Sequence, residues 1–422
     1  MKTDVIIVGT GVAGLYTALN LPKDKEIIMV TKASLEENDS FLAQGGICVL
    51  RDENDFDSYF EDTMRAGHYE NNKQSVEIMI NSSQEVISDL VDYGVDFSRD
   101  EDGNFEYTRE GAHSKPRILF HKDITGEEIT KKLLSAVLKL KNVKIIENYT
   151  LVDIIVKDNK CLGIIGKDKD GNFNAIKAKY TMLATGGVGG LFKNSTNYRH
   201  LTGDALAICK KHGIELQNVD YVQIHPTTLY SLKKGRRFLI SESVRGEGAK
   251  LFDAHMDRFV DELLPRDVLT EKIYAKMKED NKPYVWLSMK PLGTKTIKEH
   301  FPNIYKRCLK EGYDVTKECI PVVPSQHYFM GGIKVNEYSK TSMDNLYAAG
   351  ETSCNGVHGK NRLASNSLLE SLVFAKRAAK HMIETHTDVS LDFEVIIDET
   401  KYKNFEEEYA KITLDEMERM KK

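Results

Sequence analysis

Nothing in this 422-residue chain pairs its cysteines, skews its charge or supplies a long apolar run. The six cysteines (Cys48, Cys161, Cys209, Cys308, Cys319 and Cys354) are scattered with no C-x-x-C spacing. That pattern favours reduced thiols in a cytoplasmic protein over a disulfide frame or a metal site. The 59 basic and 64 acidic residues leave a net charge of -5 with no long block of either sign, so no nucleic-acid or membrane surface is expected. The longest apolar runs are too short to span a bilayer, and a glycine-rich turn follows the first of them too soon for a signal peptide. No spacing joins the histidines into a zinc site, so no metal is expected. Internal repeats and low-complexity stretches are also missing. What remains is a chain with 41% apolar residues, long enough for two or three ordinary domains.

The informative stretch is the beginning. Asp4-Val5-Ile6-Ile7-Val8 has the length and apolar run of a buried parallel strand. Gly9-Thr10-Gly11-Val12-Ala13-Gly14 follows at once, Leu15 to Leu19 opens a helix, and Ile27 to Val30 closes a βαβ unit. In such a unit one glycine permits the tight turn and another lets a pyrophosphate reach the backbone. A third lets helix and strand pack closely, so that the helix N-terminus faces the anion. The second strand lacks the acidic residue that usually holds an adenosine ribose and runs instead into Thr31 and Lys32. Two readings are open at this point: Lys32 on the 2′-phosphate of NADP, or neutral hydrogen bonds from Thr31 and Ser34 to a ribose.

Further along, Asn38 to Gly46 is a polar loop whose Gly45-Gly46 pair can present bare backbone N–H groups. Val76, Ile80, Ile87, Leu90 and Val91 have helical spacing between Asn72 and Tyr93, with Gly94 as the stop. Ile129 to Leu138 is a second amphipathic helix. Between Leu151 and Lys179, three apolar segments separated by Asp158-Asn159-Lys160 and Asp170-Gly171-Asn172 predict an antiparallel meander. A separate strand, Tyr180 to Thr185, then ends on Gly186 and Gly187. A meander followed by a returning strand that ends in Gly-Gly is the layout of flavoproteins and favours FAD over NADP. The βαβ rhythm is lost from about Asn218 to Pro324 and resumes at Asn345 to Glu351. A long helix starts near Ser365, and a charged one spans Asn404 to Lys422.

The fold class expected is α/β: a Rossmann-like FAD-binding domain with an inserted α+β capping domain and a short helical C-terminal tail. The first part of the FAD domain is 1–218, the cap 219–328, the second part 329–386 and the tail 387–422. The helix behind Ser367 would point its N-terminus at the flavin pyrimidine and stabilise negative charge there. His225, Arg266, His327 and Arg362 sit beside glycine, proline or short polar residues, on loops or helix ends. Arginine suits forked recognition of a carboxylate, and histidine can donate a further bond.

These residues also carry a resemblance. VGTGVAGL at 8–15, AQGG at 43–46, TREGAHS at 108–114, LATGG at 183–187 and TGDA at 202–205 come first. QIHPT at 223–227, SESVRGEG at 241–248, PRD at 265–267, HYFMGGI at 327–333, AAGE at 348–351 and HGKNRLASNSLLE at 358–370 follow in order. The chain resembles the succinate dehydrogenase/fumarate reductase flavoprotein family from residue 5 to about 380. The resemblance implies an FAD domain, a hinged cap and a dicarboxylate held between them. It implies oxidation of L-aspartate to iminoaspartate, with electrons passed to oxygen, giving hydrogen peroxide, or to fumarate, as the first step of de novo NAD synthesis. The alternatives are a soluble fumarate reductase or succinate dehydrogenase flavoprotein and a non-catalytic FAD-binding protein. L-aspartate and fumarate would be the ligands, with hand-off of iminoaspartate to quinolinate synthase.

Carried over by position, Arg266 is the proton donor or acceptor, with Glu242 and Arg245 as its relay. An arginine in that role needs its cation disfavoured, by burial or by cationic neighbours. His225, Ser241, His327 and Arg362 hold the carboxylates, and Glu110 faces the substrate amine unless it merely pairs with Arg109 or Arg117. Thr10, Gly11, Val12, Ala13, Lys32, Asp39, Ser40, Ala43, Gln44, Gly45, Gly46, Val152, Asp204, Glu351, Ser367 and Leu368 match flavin contacts. Gly9, Gly14, Gly186 and Gly187 complete the cofactor turns. Two departures follow. Asp39 stands where membrane-bound relatives carry the histidine that bonds FAD covalently, so noncovalent FAD is expected. Members that oxidise the amino acid commonly carry a longer C-terminal helical domain than the tail seen here.

Overall fold

A computed structural model describes the chain except for residues 386, 388 and 422. The expected boundary at 386 and the expected helix end at 422 therefore fall outside the described residues. The central sheet begins with β1 (Lys2–Val8), whose Val5 to Val8 are all buried, as an unbroken apolar run between parallel neighbours requires. Helix α1 (Val12–Asn20) follows, then β2 (Ile27–Val30). The turn between β1 and α1 needs glycine at position 9. Its φ is +114°, and a Cβ there would lie 2.0 Å from the Ala184 carbonyl oxygen.

After β2 the chain leaves the sheet. Helix α2 (Phe56–Ala66) comes first, then α3 (Lys73–Asn81) and α4 (Ser83–Asp92) where one helix is expected. The break sits at Ser82. Beside it the Ser83 hydroxyl donates to the Ile80 carbonyl at 2.6 Å and accepts the Leu50 N–H at 2.9 Å. Serine side chains compete in this way for the acceptors a continuing helix would use. Helix α5 (Thr125–Val137) then leads back through β3 (Val143–Ile146) to the meander β4 (Thr150–Lys157), β5 (Lys160–Lys167) and β6 (Phe173–Leu183).

Strand β6 merges two expected strands, because no turn residue interrupts Lys177 to Lys179. Its first half pairs antiparallel with β5, from Gly163↔Lys177 to Lys167↔Phe173. Its other edge pairs parallel with β1, from Lys2↔Lys177 to Val8↔Leu183. One strand therefore joins the meander to the cofactor sheet, in the order β3-β2-β1-β6-β5-β4. Helix α6 (Asp204–Lys211) packs under β4.

The inserted cap is built on β7 (Val222–Leu229), β8 (Lys250–Phe252), β9 (Val285–Ser288) and β10 (Ile320–Phe329), antiparallel in the order β7-β10-β9-β8. Short α7 (Glu242–Gly246) and α8 (Arg266–Glu279) flank it. Leu229, Ile240, Leu251, Leu269, Ile273, Leu287 and Val322 form a core apart from the two that cover the central sheet. The chain returns through β11 (Leu346–Ala348), parallel to the end of β6, into α9 (Asn366–Glu384), which packs on α1. Helix α10 (Phe405–Met420) buries Phe405, Tyr409 and Met417 against α6. Among the described residues no helix is long and apolar enough to cross a membrane.

Candidate active site

A long cleft runs from the β1–α1 turn to the cap. At one end α1 starts from Gly11, which has no side chain to cap it, and no acidic residue lies in its first turn, so the N–H groups beyond Val12 suit an anion. Gly9, Thr10, Gly11, Val12 and Ala13 line this end, opposed by Asp39, Ser40, Ala43, Gln44, Gly45 and Gly46. The Ser40 hydroxyl ties the two walls by accepting the Val12 N–H at 3.2 Å.

Lys32 and Asp204 line the same end and pair at 2.7 Å, with Thr202 accepting from Lys32 at 3.1 Å. The charge of Lys32 is thus matched within the protein, which removes its reading as a free cation for NADP. Thr31 lines the cleft but Ser34 does not. Its hydroxyl donates to Glu37, and Glu37 takes the place beside the cleft.

Towards the middle, Gly186, Glu351, Ser367 and Leu368 line the wall. Burial, with the Asp39 charge adding to it, holds the Glu351 carboxyl well above the usual range, and its Oε1 accepts the Phe329 N–H at 2.9 Å. Asp39 is pushed up to about 7 by burial, although the Tyr198 amide donates to it at 3.0 Å. Asp39 Oδ2 and Gln44 Oε1 are buried acceptors without partners. Open helix N-termini together with spare acceptors fit a cofactor carrying both a pyrophosphate and N–H or hydroxyl groups.

Four expected site residues do not line the cleft. Gly14 lies behind the turn, where a Cβ would sit 2.1 Å from the Gly9 carbonyl oxygen. Gly187 backs Glu351, whose Oε1 would lie 2.3 Å from a Cβ there. Val152 lies in the core and its carbonyl accepts from Tyr409 at 2.6 Å, while Tyr149 and Leu151, buried in the same core, line the cleft. Arg245 stands behind Glu242, donating to the Glu262 carbonyl at 2.6 Å.

The cap end gathers His225, Ser241, Glu242, Arg266 and His327 from the insertion, with Glu110 and Arg362 from the base. His225 and His327 meet edge to face at 5.1 Å. Burial first, and then the arginines around them, hold both imidazoles well below their ordinary value, so both are neutral. His225 Nδ1 lies 3.1 Å from the Thr227 carbonyl and 3.2 Å from the Thr227 N–H, and its Nε2 is a buried atom without a partner. Thr196 bonds His327 Nδ1 at 2.8 Å.

Arg266 donates through Nε to Glu242 and through Nη1 to Gln223 at 2.7 Å. Arg362 donates to Ser367 at 3.1 Å, lies over the Tyr328 ring at 4.5 Å and keeps Nε unpartnered. Burial lowers it to about 10, and Arg266 adds to that. Glu242 lies between two guanidiniums, with Arg245 at 3.5 Å on its other side. Burial alone would raise its carboxyl, but Arg266, Arg245 and Arg362 together hold it below the ordinary value. Glu110 is not paired with Arg117, which is fully buried against Asp55 and Asp62 at 2.9 and 2.7 Å. Nor does it pair with Arg109. Instead, Ser243 and Ser365 each donate to it at 2.6 Å. Burial, and next the Glu242 charge, raise its pKa.

Sequence reasoning missed Gln223, Ser243, Ser365 and Arg236. Gln223 was legible, since it lies two residues before His225 on β7 and so shares its face. Ser243 and Ser365 meet only at Glu110, across more than a hundred residues each, and no local signal marks them. Arg236 lines the cleft from a loop with no motif.

Fold and cleft together define a dinucleotide-binding protein with a capped, cation-rich anion pocket. The family described as FAD binding domain matches residues 4–368. An L-aspartate oxidase of Clostridium perfringens is 51% identical over 422 residues, covering 99% of this chain and 95% of that protein. Another, of Clostridium acetobutylicum, is 50% identical over 383 residues, covering 90% and 88%. A solved E. coli quinol fumarate reductase is similar at a TM-score of 0.86 and 29% identity, covering 91% of this chain and 70% of that one. The chain belongs to the L-aspartate oxidases within the FAD-binding flavoproteins. FAD is accordingly its cofactor.

Proposed function

We propose that this chain oxidises L-aspartate to iminoaspartate, passing two electrons on to oxygen, with hydrogen peroxide as product, or to fumarate. Bound FAD supplies the two-electron acceptor. The observation that supports this reading most is the pairing of unlike groups at one end of the cleft. The partnerless ring nitrogen His225 Nε2 and the partnerless donor Arg362 Nε suit carboxylates, and the Glu110 carboxylate suits an ammonium group. A plain dicarboxylate would leave a buried anion beside Glu110 with nothing to offset it, which is costly.

In this reading His225, Ser241, His327 and Arg362 hold the two carboxylates, while Glu110 takes the amine. Arg266, fixed by Glu242 and Gln223, moves the proton, with Glu242 and Arg245 as its route away from the cleft. The insertion 219–328 acts as the cap that closes over the substrate. Gly9 to Ala13 seat the pyrophosphate, and Lys32 with Asp204 shapes the adenosine end. FAD is held without a covalent bond, since Asp39 offers no histidyl nitrogen. The reaction opens de novo NAD synthesis, and its unstable imine product suits hand-off to quinolinate synthase. The free thiols suit a cytoplasmic setting.

The test is anaerobic titration of the yellow holoenzyme. L-aspartate should bleach the flavin absorbance and succinate should not. Bleaching by succinate alone would return the chain to the fumarate reductase reading. FAD should also leave intact on mild denaturation, and flavin retained by the precipitated chain would sink the noncovalent assignment.

A further inference from the structure

Three segments far apart in sequence converge on Glu110. Ser243 comes from α7 of the cap, and Ser365 from the residue that precedes α9. Gly45 comes from the polar loop, where a Cβ would lie 2.7 Å from Glu110 Oε1. Each serine oxygen receives a hydrogen bond from elsewhere. The Gly46 N–H donates to Ser365 Oγ at 3.2 Å, and the Ser241 hydroxyl donates to Ser243 Oγ at 3.2 Å. Each hydroxyl proton is then directed at a different oxygen of Glu110, both at 2.6 Å.

Ser365 gives up two advantages to be there. Its φ is +61°, a left-handed backbone that costs a non-glycine residue energy and that glycine would adopt freely. It also stands at the N-cap of α9, where a serine side chain ordinarily bonds its own helix, yet it makes no such bond. Neither backbone comfort nor helix capping explains a serine at this position. The bond to Glu110 does.

We infer that Ser365 and Ser243 are positioning residues that set selectivity, clamping the Glu110 carboxylate so that an amino-dicarboxylate is taken in preference to a plain dicarboxylate. Two fixed donors keep Glu110 an acceptor on both oxygens and stop it from turning towards Arg266. The remaining lone pairs then face the cleft at one fixed place. Loss of either donor lets the carboxyl rotate or take up a proton, and both weaken its hold on an ammonium group. The inference rests on L-aspartate as the substrate.

The experiment compares holoenzymes: wild type, Ser365→Ala, Ser365→Gly, Ser243→Ala, and Ser365→Ala combined with Glu110→Gln. Three readouts are taken: kcat/KM for L-aspartate, the inhibition constant of succinate, and Tm. Each single serine variant should lose about tenfold in kcat/KM for L-aspartate, the equivalent of one hydrogen bond to a charged group. The succinate constant should move by much less. Ser365→Gly should lose that selectivity while keeping or raising Tm, because glycine relieves the left-handed backbone. In the Glu110→Gln background, Ser365→Ala should cost little more. Equal losses for aspartate and succinate would overturn the inference and make Ser365 a structural residue. So would an undiminished serine effect in the Glu110→Gln background. Should Ser365→Ala fail to fold, Ser365→Gly and Ser243→Ala carry the same test. A wild-type enzyme inactive on L-aspartate overturns the substrate reading itself, whereas an active wild type with indifferent serine variants overturns only the clamp.

Discussion

Two carboxylates face the same cleft from opposite sides and are buried alike, Glu242 at 3% and Glu110 at 2% exposure. They are held in opposite ways. Glu242 lies among guanidiniums, which outweigh its burial and keep it ionised. Glu110 takes its hydrogen bonds from hydroxyl groups, and burial, with the Glu242 charge next, raises its pKa. The comparison shows that depth alone does not decide the state of a buried acid. The charge of the first neighbours decides it, and it also suits the two groups to different tasks. An acid locked between arginines can steady a proton-moving guanidinium. An acid clamped by neutral groups still has its charge available for a ligand.

The strongest way to break the comparison is at the centre of the Glu242 side. Arg266→Lys keeps one positive charge but loses the fork that reaches Glu242 and Gln223 together. Turnover of L-aspartate should fall by about 10²-fold or more, the scale of a lost proton-transfer group, while FAD and dicarboxylate binding persist. Near-normal steady-state turnover would remove Arg266 from the proton-moving role.

Next is stability. Glu242→Gln leaves Arg245 and Arg266 buried without their anion and should cost about 3 kcal/mol at neutral pH. The same change at Glu110 strands no cation and should cost less than about 1 kcal/mol. Chemical denaturation of both variants checks this, and equal losses would show that the two acids are held alike.

Glu110→Gln should instead act on the reaction. Its kcat/KM for L-aspartate should drop by ~1.5–3 kcal/mol in transition-state terms, the worth of one charge-assisted hydrogen bond. Succinate inhibition should change far less, and steady-state kinetics with both ligands would decide it.

These arrangements differ in how far the sequence announces them. The β1–α1 turn and the helix behind Ser367 were legible because period and glycine placement are local, and β1 shows its burial in one apolar run. The break at Ser82 was not, since the apolar spacing continues across it while a serine hydroxyl takes the helix acceptor. Strand β6 was divided in reading because its two halves face different partners, a fact of the sheet and not of the segment. Family position led to Val152, and its neighbours Tyr149 and Leu151 are the ones that line the cleft. The hydrogen bonds to Glu110 were beyond reach, because residues 110, 243 and 365 come together only where the inserted segment packs on the rest of the chain.

The smallest effect is the pH dependence of stability, where the two acids should pull in opposite directions. The Glu110 carboxyl is held above its ordinary value, near 4.3 for a free glutamate. Above that ordinary value the unfolded chain has released the proton while the folded chain still binds it. There the folded state binds more protons, so stability falls as pH rises, until Glu110 ionises in the folded chain as well. Glu242 is depressed, so below the same reference the unfolded chain takes up a proton that the folded chain refuses. Its contribution is present above the ordinary value and is lost as pH falls through the lower folded one. Subtracting the stability of Glu110→Gln from that of wild type, measured without substrate, should give a difference that declines on the alkaline side of the glutamate range and then levels. For Glu242→Gln the difference should climb on the acid side. If the Glu110 difference is flat, its carboxyl titrates as a free glutamate does, and the contrast between the two neighbourhoods disappears.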